Sequence, residues 1–184
     1  MSFDTVEHNR RRQNFEGVSS VWLFGYGSLI YKVDFPYLEK RPATITGWER
    51  RFWQGSHDHR GTPESPGRVV TLIESPRASC MGMAYRVPPD VFEHLDVREK
   101  NGYLRFATPM TFADGTVEEG LVYIATTDNA AFLGPAPAAD IALQIARSAG
   151  PSGPNRDYLL NLAAALRALG DQDPHVFEIE KHLG

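Results

Sequence analysis

Cysteine is nearly absent from this chain: Cys80 stands alone among 184 residues. One thiol cannot build an intramolecular disulfide framework, and its isolation suits a reducing compartment, the cytoplasm by default. An excess of positive charge is lacking too, because 19 Lys plus Arg face 23 Asp plus Glu, for a net charge of -4. That balance offers no general attraction to nucleic acid or to an anionic membrane surface, so a small-molecule partner is expected. Long apolar runs are missing as well. Residues 1–19 carry Glu7, Arg10, Arg11, Arg12 and Glu16 without a hydrophobic stretch, and read neither as a signal peptide nor as a membrane anchor. They are expected to form a flexible, solvated arm over 1–20, with 21–184 as a single domain.

What is present suffices for one sizeable core, with 42% hydrophobic and 11% aromatic residues. The first half reads as short β-rich runs broken by turn residues: Val21–Phe24, Ala43–Gly47, Arg50–Gln54, Val69–Glu74 and Met81–Val87. Between them, 55–67 is too polar and too rich in Gly and Pro for a helix or a strand, and reads as a long loop. Pro88-Pro89-Asp90 opens a helical stretch, with Asp90 as its expected N-cap and Glu99 at its end. Leu104–Phe112 and Thr116–Ala125 flank Asp114-Gly115, a hairpin signal. The C-terminal third turns helical: Ile141, Ile145 and Ala149 form one stripe, Leu159, Leu162, Ala163 and Leu166 another, and Asp173-Pro174 caps a last helix. Strands followed by helices, without regular alternation, indicate an α+β fold.

Candidate chemistry begins with Phe24-Gly25-Tyr26-Gly27-Ser28-Leu29, directly behind an apolar strand. Glycines spaced by one residue allow positive φ and leave backbone N–H groups free to face an anion or a developing oxyanion. The dinucleotide fingerprint fails, because Ile30 stands where a third glycine is needed, and neither a phosphate loop nor a nucleophile elbow surrounds Ser28. Glu99 is a candidate general base: a partly buried carboxylate at a helix end can have its pKa raised towards neutrality. Arg98 and Lys100 oppose that only if they share its surroundings, and adjacent helical residues project about 100° apart. His57-Asp58-His59 falls short of a four-ligand metal site, and Cys80 reads as a core thiol. A rigid Pro151-Ser152-Gly153-Pro154 turn leads into a helix bearing Tyr158, which would close a pocket wall or simply pack on the core.

Taken together, Phe24–Ile30, Arg50–Gly55, Asp58–Gly61 and Pro66–Leu72 resemble the ChaC-like glutathione-specific γ-glutamylcyclotransferases. Leu95–Lys100, Tyr123, Leu133–Pro137 and Gly150–Gly153 continue the resemblance in the same order, so that it covers about Val21 to His182. It implies a small mixed barrel with flanking helices and a cofactor- and metal-free reaction that splits glutathione into 5-oxoproline and cysteinylglycine. It maps the substrate loop onto Leu23, Phe24, Gly25, Tyr26, Gly27, Ser28 and Leu29, and the acid/base onto Glu99. Arg51, Arg60, Tyr103 and Tyr158 are candidate substrate contacts without an assigned role. Other γ-glutamyl peptides or γ-glutamylamines are the alternative substrates, and a non-catalytic ligand-binding barrel is the alternative class. After Glu99 the chain carries one glycine, Gly102, where some family members carry two.

Overall fold

The computed structural model describes Thr5, Val6, Asn9 and residues 15–100 and 102–184. The run Arg10-Arg11-Arg12 and most of the expected arm lie outside the described residues. Five strands close into a barrel in the order β1-β3-β2-β4-β5: β1 (Val21–Gly25), β2 (Glu39–Ser56), β3 (Gly67–Val87), β4 (Tyr103–Phe112) and β5 (Val117–Ala125). The barrel is mixed because β1 and β5 close it in parallel, Leu23 against Leu121, whereas the other pairings are antiparallel. Closure removes the open sheet edges that would otherwise invite pairing with other chains.

Four of the expected short strands merge into two long ones. Ala43–Gly47 and Arg50–Gln54 are segments of β2, and Val69–Glu74 and Met81–Val87 are segments of β3. The register between them shifts at Thr46/Trp48 and at Arg51/Gln54. Gly47, at φ 87°, occupies the first of these breaks, where a residue without Cβ lets the strand bend. A strand that bends around a barrel interrupts its own alternation, so the sequence reads it as two. The polar loop shrinks to residues 57–66, because Gly55 and Ser56 end β2 and Gly67 starts β3. The Asp-Gly hairpin forms as expected, with Gly115 at φ 88° and Asp114 accepting from the Thr116 amide at 3.0 Å.

Alternate residues of single strands serve two cores. Trp22 and Phe24 of β1 and Val122 and Ile124 of β5 join a cluster with three C-terminal helices: α2 (Ala138–Arg147), α3 (Asn155–Leu169) and α4 (Pro174–Leu183). Leu23, Leu121 and Tyr123 face the other way, against Val91, Phe92 and Leu95 of α1 (Val91–Arg98). The period of two along a strand makes this possible, and each buried Leu or Phe contributes roughly 1.5–3 kcal/mol. Asp173 caps α4 through the Val176 amide at 3.1 Å. Asp90, by contrast, occupies the N-cap position of α1 without a side-chain capping bond. The α2 stripe stops at Arg147, before Ala149, because Ala149–Gly150 pairs with Gly153–Pro154 as a minimal hairpin.

Candidate active site

The chain leaves β1 at Gly25 and turns at once into a 3₁₀ turn over Ser28–Ile30. Neither glycine of the Gly25-Tyr26-Gly27 turn takes a positive φ, contrary to the expectation from their spacing. They are needed for close approach instead. A Cβ on Gly25 would lie 2.6 Å from the Leu29 Cβ, and one on Gly27 would lie 2.9 Å from both the Tyr158 hydroxyl and the Val70 Cγ2. The turn is anchored at three points. The Tyr26 carbonyl accepts from Arg50 Nε at 2.7 Å, the Tyr26 hydroxyl donates to the Tyr123 carbonyl at 2.5 Å, and the Leu29 carbonyl accepts from the Tyr85 hydroxyl at 2.6 Å. With its carbonyls held from behind, the loop keeps the Gly27, Ser28 and Leu29 amides without an acceptor among the described residues. Such preorganised N–H groups suit a developing oxyanion.

Glu99 faces this turn across a cleft. It is the C-cap of α1, and its amide closes on the Leu95 carbonyl at 2.8 Å. Two adjoining hollows, of about 100 and 60 Å³, share Ser28, Glu99, Tyr103 and Tyr158 in their walls. Burial raises the Glu99 pKa above the ordinary carboxylate value. The negative end of the α1 dipole acts in the same direction. Arg98 and His59 pull it down, Asp58 and Asp34 push it up, and desolvation prevails. Arg98 does reach its neighbour, with Nε 3.9 Å from Glu99 Oε1, but it is drawn more closely to Asp34 at 2.8 Å. One fifth of the Glu99 side chain stays open to the cleft, so the group is desolvated yet accessible.

Two tyrosines frame the carboxylate through the backbone of a single β3 residue, Val70. The Tyr103 hydroxyl donates to the Val70 carbonyl at 2.9 Å, and the Val70 amide donates to the Tyr158 hydroxyl at 3.2 Å. Burial raises the pKa of Tyr26, Tyr103, Tyr123 and Tyr158, and their proximity to Glu99 adds to it, which keeps all four protonated at neutral pH. Tyr158 reaches the wall because the buried Asn155 side chain clamps the start of α3 to Arg68, accepting from its amide at 2.8 Å and donating to its carbonyl at 2.9 Å.

The far end of the cleft carries cations. Lys32 and Arg60 line it with Asp58, His59 and Ser152. Arg60 is held by the Pro154 carbonyl at 3.1 Å and lies over the Tyr158 ring at 5.8 Å, while His59 Nδ1 lies 3.1 Å from the Ser152 hydroxyl. Of the residues singled out from sequence, Phe24, Gly25, Tyr26, Gly27, Ser28, Leu29, Arg60, Glu99, Tyr103 and Tyr158 meet around this cleft. Leu23 is fully buried behind it, and Arg51 lies outside its lining, bound to Glu49 at 2.7 Å. Cys80 is buried, with its thiol pKa pushed up to about 11, so it is a packed side chain rather than a nucleophile.

Sequence reasoning named Arg50 and Tyr123 only as part of the resemblance, without a role at the site, and passed over Lys32. Arg50 was hidden by its neighbour: Arg50-Arg51 lies in a strand, so one side chain points inward and the other outward, and a charge is normally assigned to the outside. Lys32 carried no motif, and Tyr123 lay within an apolar run.

Known proteins resemble this chain over most of its length. The family model described as ChaC-like protein matches residues 21–184. The γ-glutamylcyclotransferase 2-3 of Arabidopsis thaliana is 48% identical over 172 residues, covering 87% of this chain and 86% of that one. The glutathione-specific γ-glutamylcyclotransferase 1 of Danio rerio is 47% identical over 178 residues, covering 91% and 90%. A crystal structure of the glutathione-specific γ-glutamyl cyclotransferase from yeast superposes with a TM-score of 0.84 at 34% identity, covering 90% of this chain and 96% of that one. The chain belongs to the ChaC-like family.

Proposed function

We propose that this protein is a lyase that cleaves glutathione into 5-oxoproline and cysteinylglycine. The observation that carries the reading is the desolvated Glu99 carboxylate facing the amides of the Gly25–Leu29 turn across one cleft. A γ-glutamyl compound holds its own nucleophile. The α-amine attacks the γ-carbonyl, a bond forms from that nitrogen to the γ-carbon and closes a five-membered ring, and the bond to the cysteinyl nitrogen breaks. The protein has to hold the folded conformer and move protons, and holding alone accounts for several kcal/mol of the barrier. Glu99 takes a proton from the amine and returns it to the departing nitrogen, a role suited to a carboxyl whose pKa is raised towards neutrality. The turn amides receive the tetrahedral oxyanion, each donor contributing about 3–4 kcal/mol. The four protonated tyrosines form a wall that adds no negative charge beside Glu99.

Lys32 and Arg60 favour glutathione over a γ-glutamylamine, because they offer positive charge at the end of the cleft where the tripeptide carries its glycyl carboxylate. No helix among the described residues is long and apolar enough to cross a membrane. A cytoplasmic setting, where glutathione is abundant and a lone thiol stays reduced, fits the reading.

The test is mass-spectrometric detection of 5-oxoproline and cysteinylglycine after mixing the protein with glutathione, alongside γ-glutamylamines. Product from an amine but none from glutathione would overturn the substrate, and no product from either would overturn the reaction. Lys32→Ala is expected to raise KM for glutathione about tenfold, the equivalent of ~1.4 kcal/mol, while leaving an amine substrate unaffected. Gly27→Ala is expected to push the turn off Tyr158 and Val70. Its kcat/KM should fall about 10²-fold, the cost of a misplacement near 1 Å, which steady-state kinetics on a variant with a normal melt would check.

A further inference from the structure

The family match begins at residue 21, yet two residues ahead of it are bonded to the backbone that carries Glu99. The Thr5 amide donates to the Lys100 carbonyl at 2.9 Å. The Thr5 hydroxyl lies 2.8 Å from the Tyr103 carbonyl, 3.1 Å from that of Lys100 and 3.4 Å from that of Glu99. Asn9 has no exposed surface: its Nδ2 donates to the Tyr103 carbonyl at 2.9 Å, and its Oδ1 accepts from the Arg105 amide at 2.8 Å. The Asn9 amide donates to the Thr5 carbonyl at 2.9 Å, an i to i−4 bond that ties the two contacts together. The expectation of a solvated arm therefore does not extend to Thr5 and Asn9, nor to Phe15, whose ring stacks on Phe92 of α1 at 5.1 Å.

We propose that Thr5 and Asn9 form a strap that positions the acid/base: they hold the backbone at Lys100, Tyr103 and Arg105 and thereby aim the Glu99 carboxylate at the turn across the cleft. The inference rests on the reading of Glu99 as the proton-transfer group. A helix leaves its last carbonyls without intrahelical donors and frays there unless something else supplies them. Glu99 stands at that frayed position; just past it the Lys100 carbonyl accepts from the Thr5 amide, and the Thr5 hydroxyl, with one hydrogen to give, lies nearest the Tyr103 carbonyl. Three residues past Glu99, Gly102 takes φ 98°, and Tyr103 begins β4 with its carbonyl shared by Thr5 and Asn9. The strap thus fixes both ends of the short connection between α1 and β4. Thr5 and Asn9 do not line the cleft, so they act through Glu99 and Tyr103 and not on substrate.

The full chain carries the test. Thr5→Val keeps the shape and removes the hydroxyl, Thr5→Ser restores it, and Asn9→Ala removes both side-chain bonds. Thr5→Val and Asn9→Ala are expected to lower kcat for glutathione about tenfold with KM within about twofold of the parent, and Thr5→Ser is expected to recover most of the rate. Hydrogen exchange is read in parallel. Asn9→Ala should accelerate exchange at the Arg105 amide, and both variants should accelerate it across residues 99–105 while the rest of the barrel keeps its protection. Parent-like kcat in Thr5→Val and Asn9→Ala, a loss confined to KM, or a Thr5→Ser variant as slow as Thr5→Val would overturn the strap. If the parent itself made no 5-oxoproline, the proposed reaction would fail, and the exchange measurement would still decide whether these residues hold the segment.

Discussion

Glu99→Gln is expected to leave a folded protein that still binds glutathione and turns it over about 10²–10⁴-fold more slowly, the range over which a positioned general acid/base acts. The amide matches the carboxylate in shape but is too weak a base to take the amine proton. In the proposed reading binding relies on other cleft groups, the turn amides together with Lys32 and Arg60, which line the two hollows. A titration of glutathione into the variant, followed by single-turnover product analysis, separates the two effects. A variant that folds, binds and keeps full turnover would remove Glu99 from the mechanism whichever substrate was used.

The same substitution should raise stability, in a pH window that follows from the sign of the Glu99 shift. Folding raises the Glu99 pKa, so the native state favours the neutral form and is penalised when Glu99 ionises. The favourable contribution is complete below the unfolded value of about 4.3 and is lost as pH rises through the higher folded value. Glutamine mimics the neutral form at every pH. Glu99→Gln should therefore melt above the parent at neutral pH, and the gap should close as pH falls below about 4. A parent that melted higher at neutral pH would mean that Arg98 and His59 outweigh the burial of the carboxylate. An inactive yet stabilised variant would mark a residue whose ionisation the fold tolerates for the sake of its chemistry.

Much of this site was legible from short-range pattern. The apolar strand before Gly25, the helix that ends at Glu99 and the Asp-Gly hairpin are local features, and the structure contains each of them. The helical C-terminal third was equally plain, because its apolar stripes repeat at helical spacing. The mixed barrel followed from the family resemblance and is what the structure contains, but local pattern alone does not encode its closure: β1 meets β5 in parallel at a single pair, Leu23 with Leu121, and nothing in either segment specifies a partner about a hundred residues away. The role of the glycines was misjudged for a related reason. Gly25 and Gly27 were read through their own backbone freedom, whereas Leu29, Val70 and Tyr158 exclude a Cβ there, and two of those three come from distant segments. Arg51 and Arg50 could not be told apart by chemistry, since only the strand's register decides which one enters the core.

That inward residue supports the second large expectation. Arg50→Ala should cost about 3–5 kcal/mol, the usual penalty for removing one partner of a buried ion pair. The guanidinium is 1% exposed and is bonded on every side: Nη1 to Asp173 at 2.6 Å and Asp171 at 3.2 Å, Nη2 to the Met81 carbonyl, and Nε to the Tyr26 carbonyl. Alanine strands the Asp173 carboxylate, which is itself only 9% exposed and also caps α4 through the Val176 amide. The melting temperature should fall on the order of 10 °C for a domain of this size. The loss should reach the active site as well, because the Tyr26 carbonyl is freed and the Gly25–Leu29 turn loses the anchor that ties it to β2. Arg50→Lys discriminates between the two effects. It keeps a positive charge near Asp173 but cannot reach both the acidic side and the Tyr26 carbonyl with one ammonium group. Its melt should recover much of the alanine loss while its kcat/KM stays low. Parent-like melting of Arg50→Ala would show that the buried pair contributes nothing to the fold, and a fully active Arg50→Lys would show that the turn holds its shape without the guanidinium.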